Sequence, residues 1–117
     1  MNTTERGRAG EELALEFMKN KGYTAVAANF RSRFGEIDLI VKNSEFLVFA
    51  EVKTRKDASF AHAREYVGYH KQRKLRATAN YWLMSNSTNL QPRFDVIEVY
   101  RPNETAQPQI NHIENAF

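Results

Sequence analysis

The chain has 117 residues, a length that suits one domain (1–117) burying a core without covalent staples. It has no cysteine and no apolar run long enough to span a bilayer, which excludes disulfides, thiolate metal sites and a membrane-spanning role. The formal charge of +3 is compatible with a polyanionic partner, and with no apolar leader in Met1–Arg8 the expected setting is cytoplasmic.

The first predicted element is a helix over about 4–21, closed by Gly22 behind Lys19 and Lys21. Ala14, Phe17, Met18 and the small Gly10 form its apolar stripe. Glu11 falls on or beside that stripe, whereas Glu12 shares the outer face with Glu16 and Lys19. A strand follows over Tyr23–Phe30, then a turn at Arg31–Gly35. "EIDLIVK" (36–42) and "FLVFAEVKT" (46–54) read as a hairpin around Asn43-Ser44-Glu45. Beyond a short apolar–polar segment broken at Gly68, a helix is predicted over Tyr69–Ser85, with Leu75, Ala79, Trp82 and Leu83 inward. Asn86–Pro92 reads as a loop and Phe94–Tyr100 as a strand, while Ile110–Phe117 carries no clear pattern. The order α-β-β-β-α-β implies an α/β fold, a central mixed sheet flanked by helices.

The hairpin contains an anomaly. Glu51 and Lys53 interrupt an apolar strand, and residues two apart share a face. A turn centred on Ser44 and Glu45 pairs residues whose numbers sum to 89, which sets Asp38 opposite Glu51. The opposite face then carries Ile37, Leu39, Val41, Val48, Ala50 and Val52. Opposed residues hold their Cβ atoms about 5 Å apart, so the two carboxylates repel unless a cation sits between them. Lys53 can neutralise one acid; a divalent cation can neutralise both. Carboxylate pairs that leave positions for water and phosphate suit Mg²⁺ or Mn²⁺. Glu11 is a candidate further ligand from the first helix. The alternative for these residues is an ordinary ion pair on a half-exposed strand.

The fixed positive charges cluster. His70-Lys71-Gln72-Arg73-Lys74-Leu75-Arg76 contains no acid, and Arg31, Arg33, Arg55 and Lys56 flank the two hairpin strands. Glu36 is read as the exposed start of its strand, and Asp95 as a structural partner of Arg93. Trp82 is assigned to the core, and His62, His70 and His112 show no metal-ligand spacing.

"GRAGE" (7–11), "GEIDLI" (35–40), "FAEVKTR" (49–55), "VGYHKQRKL" (67–75), "RFDVI" (93–97) and "NAF" (115–117) occur in this order along the chain. In these motifs it resembles the YraN family of small bacterial proteins, placed in the PD-(D/E)XK nuclease superfamily and related to archaeal Holliday junction resolvases. The resemblance implies a restriction-endonuclease-like core. It makes Asp38 the first metal-binding aspartate, Glu51 and Lys53 the E-X-K pair, Glu11 the helix-borne glutamate, and the carbonyl of Val52 a further metal ligand. Ile37 stands where the superfamily's proline would be. Gln72 is followed by Arg76 where some members have tyrosine, so Lys71 and Arg73 are the better candidates for phosphate contact.

The leading expectation is a Mg²⁺- or Mn²⁺-dependent nuclease hydrolysing DNA phosphodiesters, with branched DNA a candidate substrate and RNA left open. Asp38 and Glu51 would hold the metal, Lys53 would position the attacking water, and Glu11 would support the metal shell. Arg31, Arg33, Lys71, Arg73, Lys74 and Arg76 would grip phosphates. By analogy to junction resolvases, a homodimer is a candidate assembly. The alternatives are a nucleic-acid-binding module that keeps the fold without cutting, and an assembly factor whose basic helix faces an acidic protein.

Overall fold

A computed structural model describes residues 3–55, 67–103 and 105–117. Lys56, His62 and most of the short segment before Gly68 lie outside the described residues. The elements are α1 (Thr3–Asn20), β1 (Thr24–Ser32), β2 (Gly35–Lys42), β3 (Phe46–Arg55), α2 (Tyr69–Ser85), β4 (Gln91–Tyr100) and β5 (Gln109–Ile113). The five strands form one sheet in chain order, antiparallel except where β4 runs parallel to β3. With helices packed against both faces of this mixed sheet, the fold is α/β, with the arrangement of a restriction-endonuclease-like core.

Alternation of side chains divides the core in two. Ala14 and Met18 of α1 pack on Leu39, Val41, Val48, Ala50, Ile97 and Val99. Leu75 and Ala79 of α2 pack on Ile40, Leu47, Phe49 and Val96, with Trp82 edge-on to Phe49. Ile37, expected with Leu39 and Val41, joins the α2-side cluster instead, as does its β1 partner Phe30, which stacks on Tyr81. No described helix is long and apolar enough to cross a membrane.

The end of α1 follows from Gly22. At φ 98° it turns the chain so that Tyr23 N–H reaches the Met18 carbonyl and Gly22 N–H the Lys19 carbonyl, which satisfies the last turn. Gly10 permits the closest helix–sheet approach, because a Cβ there would collide with the Thr54 hydroxyl.

Three boundaries differ from expectation. Ser32 pairs with Gly35, so the turn shrinks from Arg31–Gly35 to Arg33–Phe34. β4 starts at Gln91, not Phe94, because the parallel ladder uses all of β3, from Phe46 to Arg55. Pro92 is tolerated there. Gln91 N–H bonds the Glu45 carbonyl, so the next nitrogen faces away from β3, and β5 pairing begins only at Val96. The tail forms β5, and its last residues dock on β4 through Asn115 N–H to Asp95 and Ala116 N–H to the Phe94 carbonyl.

Candidate active site

The hairpin has the expected register. Leu39 faces Ala50 and Val41 faces Val48, with Asn43 Oδ1 closing the turn by accepting Glu45 and Phe46 N–H groups at 2.9 and 2.7 Å. The paired ladder stops at Leu39 and Ala50, one residue short of Asp38 and Glu51. Beyond it, Val52 N–H donates to Asp38 Oδ2 at 2.8 Å, where continued pairing would use the Ile37 carbonyl. The aspartate thus substitutes for a backbone acceptor at the point where the strands part. The Val52 carbonyl, on the same edge of the strand as its N–H, is turned toward β2.

Asp38, Glu51, Glu36 and Gly35 line one side of a cleft of about 510 Å³, and His70, Lys71, Lys74 and Leu75 of α2 line the other. Gly35, at φ 152°, lets the β1–β2 turn lie against α2, since a Cβ there would come within 3.2 Å of Thr78 Oγ1. Glu36, read from sequence as an exposed strand start, is partly exposed and also lines the cleft, and its Oε2 accepts Arg31 Nε–H at 3.1 Å on the surface.

Opposed charge organises the cleft. Glu51 is buried, and its Oε1 lies 2.7 Å from Lys71 Nζ and 3.6 Å from Lys53 Nζ. Burial first, then repulsion from Glu51, pushes the Asp38 carboxyl up to about 7, against the opposing Val52 N–H bond. Burial also lowers Lys53; Glu51 opposes this and Lys71 adds to it. Burial works against the charge on Lys71 too, but the hydrogen bond and attraction from Glu51 outweigh it and hold Lys71 above its usual range. The two amines thus differ: Lys71 is the firm cation, and Lys53 is the one brought nearer to proton exchange.

Glu11 comes from the helix on the opposite face of the sheet. Burial raises its pKa, a hydrogen bond with the Asn29 side chain opposes the rise, and repulsion from Glu36 and Glu51 adds to it. Glu11 therefore senses the same acidic centre. Asn29 escaped the sequence reading. It sits in β1 at φ 52°, a conformation that asparagine tolerates better than most residues, and Asn inside an otherwise regular strand was the available signal. Glu98, also missed, is fully buried beside Lys53 in the β3–β4 ladder, where it accepts the Asn111 amide at 3.1 Å. An acid within the apolar run "VIEVY" was its mark.

The basic candidates separate. Lys71 and Lys74 line the carboxylate cleft, and Arg73, Lys74, His70 and Phe34 line an adjoining depression of about 270 Å³. Arg33 lies over Phe34 and Arg73 over Tyr69, at 4.9 and 5.8 Å from the ring centroids. Arg31 is held by Glu36 on the surface. Arg76 points elsewhere, its guanidinium over Phe94 and Phe117 where the tail docks. Gln72 bonds the Val67 carbonyl at 2.8 Å, which steadies the entry to α2.

Asp95 is structural, as expected. Its carboxylate receives two bonds from Arg93 at 2.8 and 2.7 Å, one from the Asn115 backbone, and a 2.7 Å contact with His112 Nε2. Burial works to raise its pKa, but these bonds outweigh burial and hold it below the usual carboxylate range. Lys21 Nζ meets His112 Nδ1 at 2.8 Å, which makes Nδ1 the acceptor and leaves Nε2–H to donate to Asp95. "RFDVI" and "NAF" are thereby joined in one device that pins the tail to the sheet.

The donor set fits a divalent cation of the Mg²⁺ or Mn²⁺ type. Asp38 and Glu51 offer hard oxygens whose mutual repulsion a cation would relieve. Among the described residues no three or more acids or histidines come together as a set that could hold a metal ion, so the site offers a carboxylate pair and no more of these side chains. Two carboxylates with open positions are what Mg²⁺ uses when phosphate and water complete its shell.

The family model described as "Uncharacterised protein family UPF0102" matches residues 10–99. The chain is similar to a UPF0102 protein of Caldicellulosiruptor saccharolyticus, 42% identical with all of both chains covered. It is also similar to one of Clostridioides difficile, 40% identical over the whole of both chains. A third, from Alkaliphilus oremlandii, is 43% identical over 95% of this chain and 96% of its own. From its first-helix glycine to the end of the fourth strand, and across full-length relatives, the chain belongs to the UPF0102 family, the YraN-type family whose motifs it carries.

Proposed function

We propose that this protein is a metal-dependent nuclease that hydrolyses DNA phosphodiesters. The observation that supports this most is the joining of Asp38 and Glu51 in one cleft whose far wall is the basic start of α2, with Lys53 Nζ 3.6 Å from Glu51. Asp38 and Glu51, with the Val52 carbonyl, would hold a Mg²⁺ or Mn²⁺ ion. When bound, such an ion offsets charge on a phosphoryl oxygen and lowers the pKa of a water. Lys53, its own pKa lowered by burial, would orient the attacking water and hold a proton at Nζ. Lys71, Lys74 and Arg73 would bind phosphate oxygens, and the adjoining depression would extend that contact along the backbone. Glu11, steadied by Asn29, would support the acidic centre from behind. Cytoplasmic DNA, branched forms included, is the substrate in this reading, and paired copies of the chain would allow two cuts on one junction.

A second reading is a nucleic-acid-binding module that does not cut. It is favoured by one observation: Lys71 and Lys53 already neutralise Glu51 without a metal.

The test is a Mg²⁺ and Mn²⁺ screen of the purified protein against linear, nicked, flapped and four-way-junction DNA. Cleavage by the wild type, lost in Asp38→Asn and Lys53→Ala while DNA affinity stays within about threefold, is the expected result. Binding without cleavage under any metal would establish the second reading. Equal cleavage by wild type and Asp38→Asn would assign the activity to a contaminant.

A further inference from the structure

Glu51 Oε1 has two ammonium neighbours that differ in exposure. Lys53 lies two residues along the same strand, is paired with Glu98 in the parallel ladder, and has a side chain only 22% exposed. Lys71 stands in the first turn of α2, reaches Glu51 from the cleft side, and is 45% exposed. Yet the more exposed amine makes the closer contact, 2.7 against 3.6 Å. An ammonium held this closely occupies a lone pair of Oε1 and repels a divalent ion approaching the same carboxylate, so it weakens the ion's binding while it stays. Of the two lysines, Lys71 is the one that lines the cleft and has open space beside it.

We propose that Lys71 is a displaceable internal counter-cation: it holds Glu51 in the free protein and moves onto a substrate phosphate when nucleic acid enters. Divalent-ion binding is then linked to nucleic-acid binding. The inference rests on the nuclease reading of this cleft. Charge balance carries it. An entering phosphate brings negative oxygens to the wall formed by Lys71 and Lys74, and it offers Lys71 a second partner there. Departure of Lys71 leaves Asp38 and Glu51 short of positive charge, which an ion restores. By linkage, the factor by which nucleic acid tightens the ion equals the factor by which the ion tightens nucleic acid.

The experiment is Mn²⁺ binding by calorimetry to wild type, Lys71→Met, Lys74→Met and Asp38→Asn, alone and with an uncleavable phosphorothioate duplex, after circular dichroism confirms folding. In the wild type the duplex should tighten Mn²⁺ at least about tenfold, within the usual range of coupling between sites. Lys71→Met should bind Mn²⁺ about tenfold more tightly than wild type without DNA, and the duplex should then add no more than about twofold. Lys74→Met removes one charge from the same cleft without touching Glu51; a gain equal to that of Lys71→Met would overturn displacement in favour of general electrostatics. Lys71→Met binding Mn²⁺ no better than wild type, with uptake still lost in Asp38→Asn, would overturn the inference and leave the nuclease reading standing. No Mn²⁺ uptake by wild type or Lys71→Met, even with the duplex, would overturn both.

Discussion

Replacing Asp38 by asparagine should alter how stability depends on pH. In the folded chain this carboxyl titrates near 7 against an ordinary 3.8, because burial and Glu51 both oppose its charge. A carboxyl raised in the folded state binds its proton more tightly there than in the unfolded chain. The contribution of Asp38 to stability is therefore greatest below about pH 4, falls as pH rises toward 7, and levels off above that. Each pH unit in this window costs about 1.4 kcal/mol, so the full effect approaches about 4 kcal/mol, and solvent screening reduces it toward about 2. Asp38→Asn keeps an oxygen for the Val52 N–H and has no charge to lose. Groups remote from residue 38 are the same in both proteins and cancel in the difference, which reports residue 38 together with the acids coupled to it. Urea unfolding from pH 4 to pH 8 should show the variant gaining on wild type as pH rises, ending about 2–4 kcal/mol ahead. Mn²⁺ at pH 8 should then narrow the gap by stabilising wild type alone. A difference constant across that range would refute the account of Asp38 as an acid strained by its surroundings.

Other substitutions test other parts of the structure. Gly10→Ala improves helix propensity by about 1 kcal/mol, but its Cβ collides with the Thr54 hydroxyl, so the urea midpoint should fall by the equivalent of about 1–3 kcal/mol. Combining it with Thr54→Ala should recover much of the loss, and a stabilised Gly10→Ala would contradict the packing described. Asp95→Ala strands buried Arg93 and His112 together, and a loss of about 3–5 kcal/mol by chemical denaturation is expected; under 1 kcal/mol would mean the network is ornamental. Arg73→Ala should reduce the slope of log affinity for DNA against log salt by about 1, whereas Arg76→Ala, which removes a residue packed on Phe94 and Phe117, should leave the slope unchanged.

The hairpin was legible because it is local. Asn43 and the alternation of β2 and β3 specify a register in which a one-residue slip would part Asp38 from the face that carries Glu51. From that register the meeting of Asp38 and Glu51 followed, although pairing ends one residue short of them. Helix α1 was equally readable from its stripe and Gly22. β5 was not, because its residues are half-exposed and gain their order from the edge of β4 and from Asp95, all distant in sequence. Arg76 illustrates the same limit on a helix: sequence placed it in a basic run, but only the docked tail reveals the aromatic rings that hold it.

The amino-acid order alone determined which acids share a strand face, because period-two alternation and a short turn leave little freedom. Which amine contacts Glu51, whether Glu36 lines the cleft, and how Glu11 senses acids across the sheet were decided by the packing of α2 and α1 onto the strands. Those contacts join residues far apart along the chain. Their partners are selected by the space and charge that remain once the core has closed, and no local pattern encodes that.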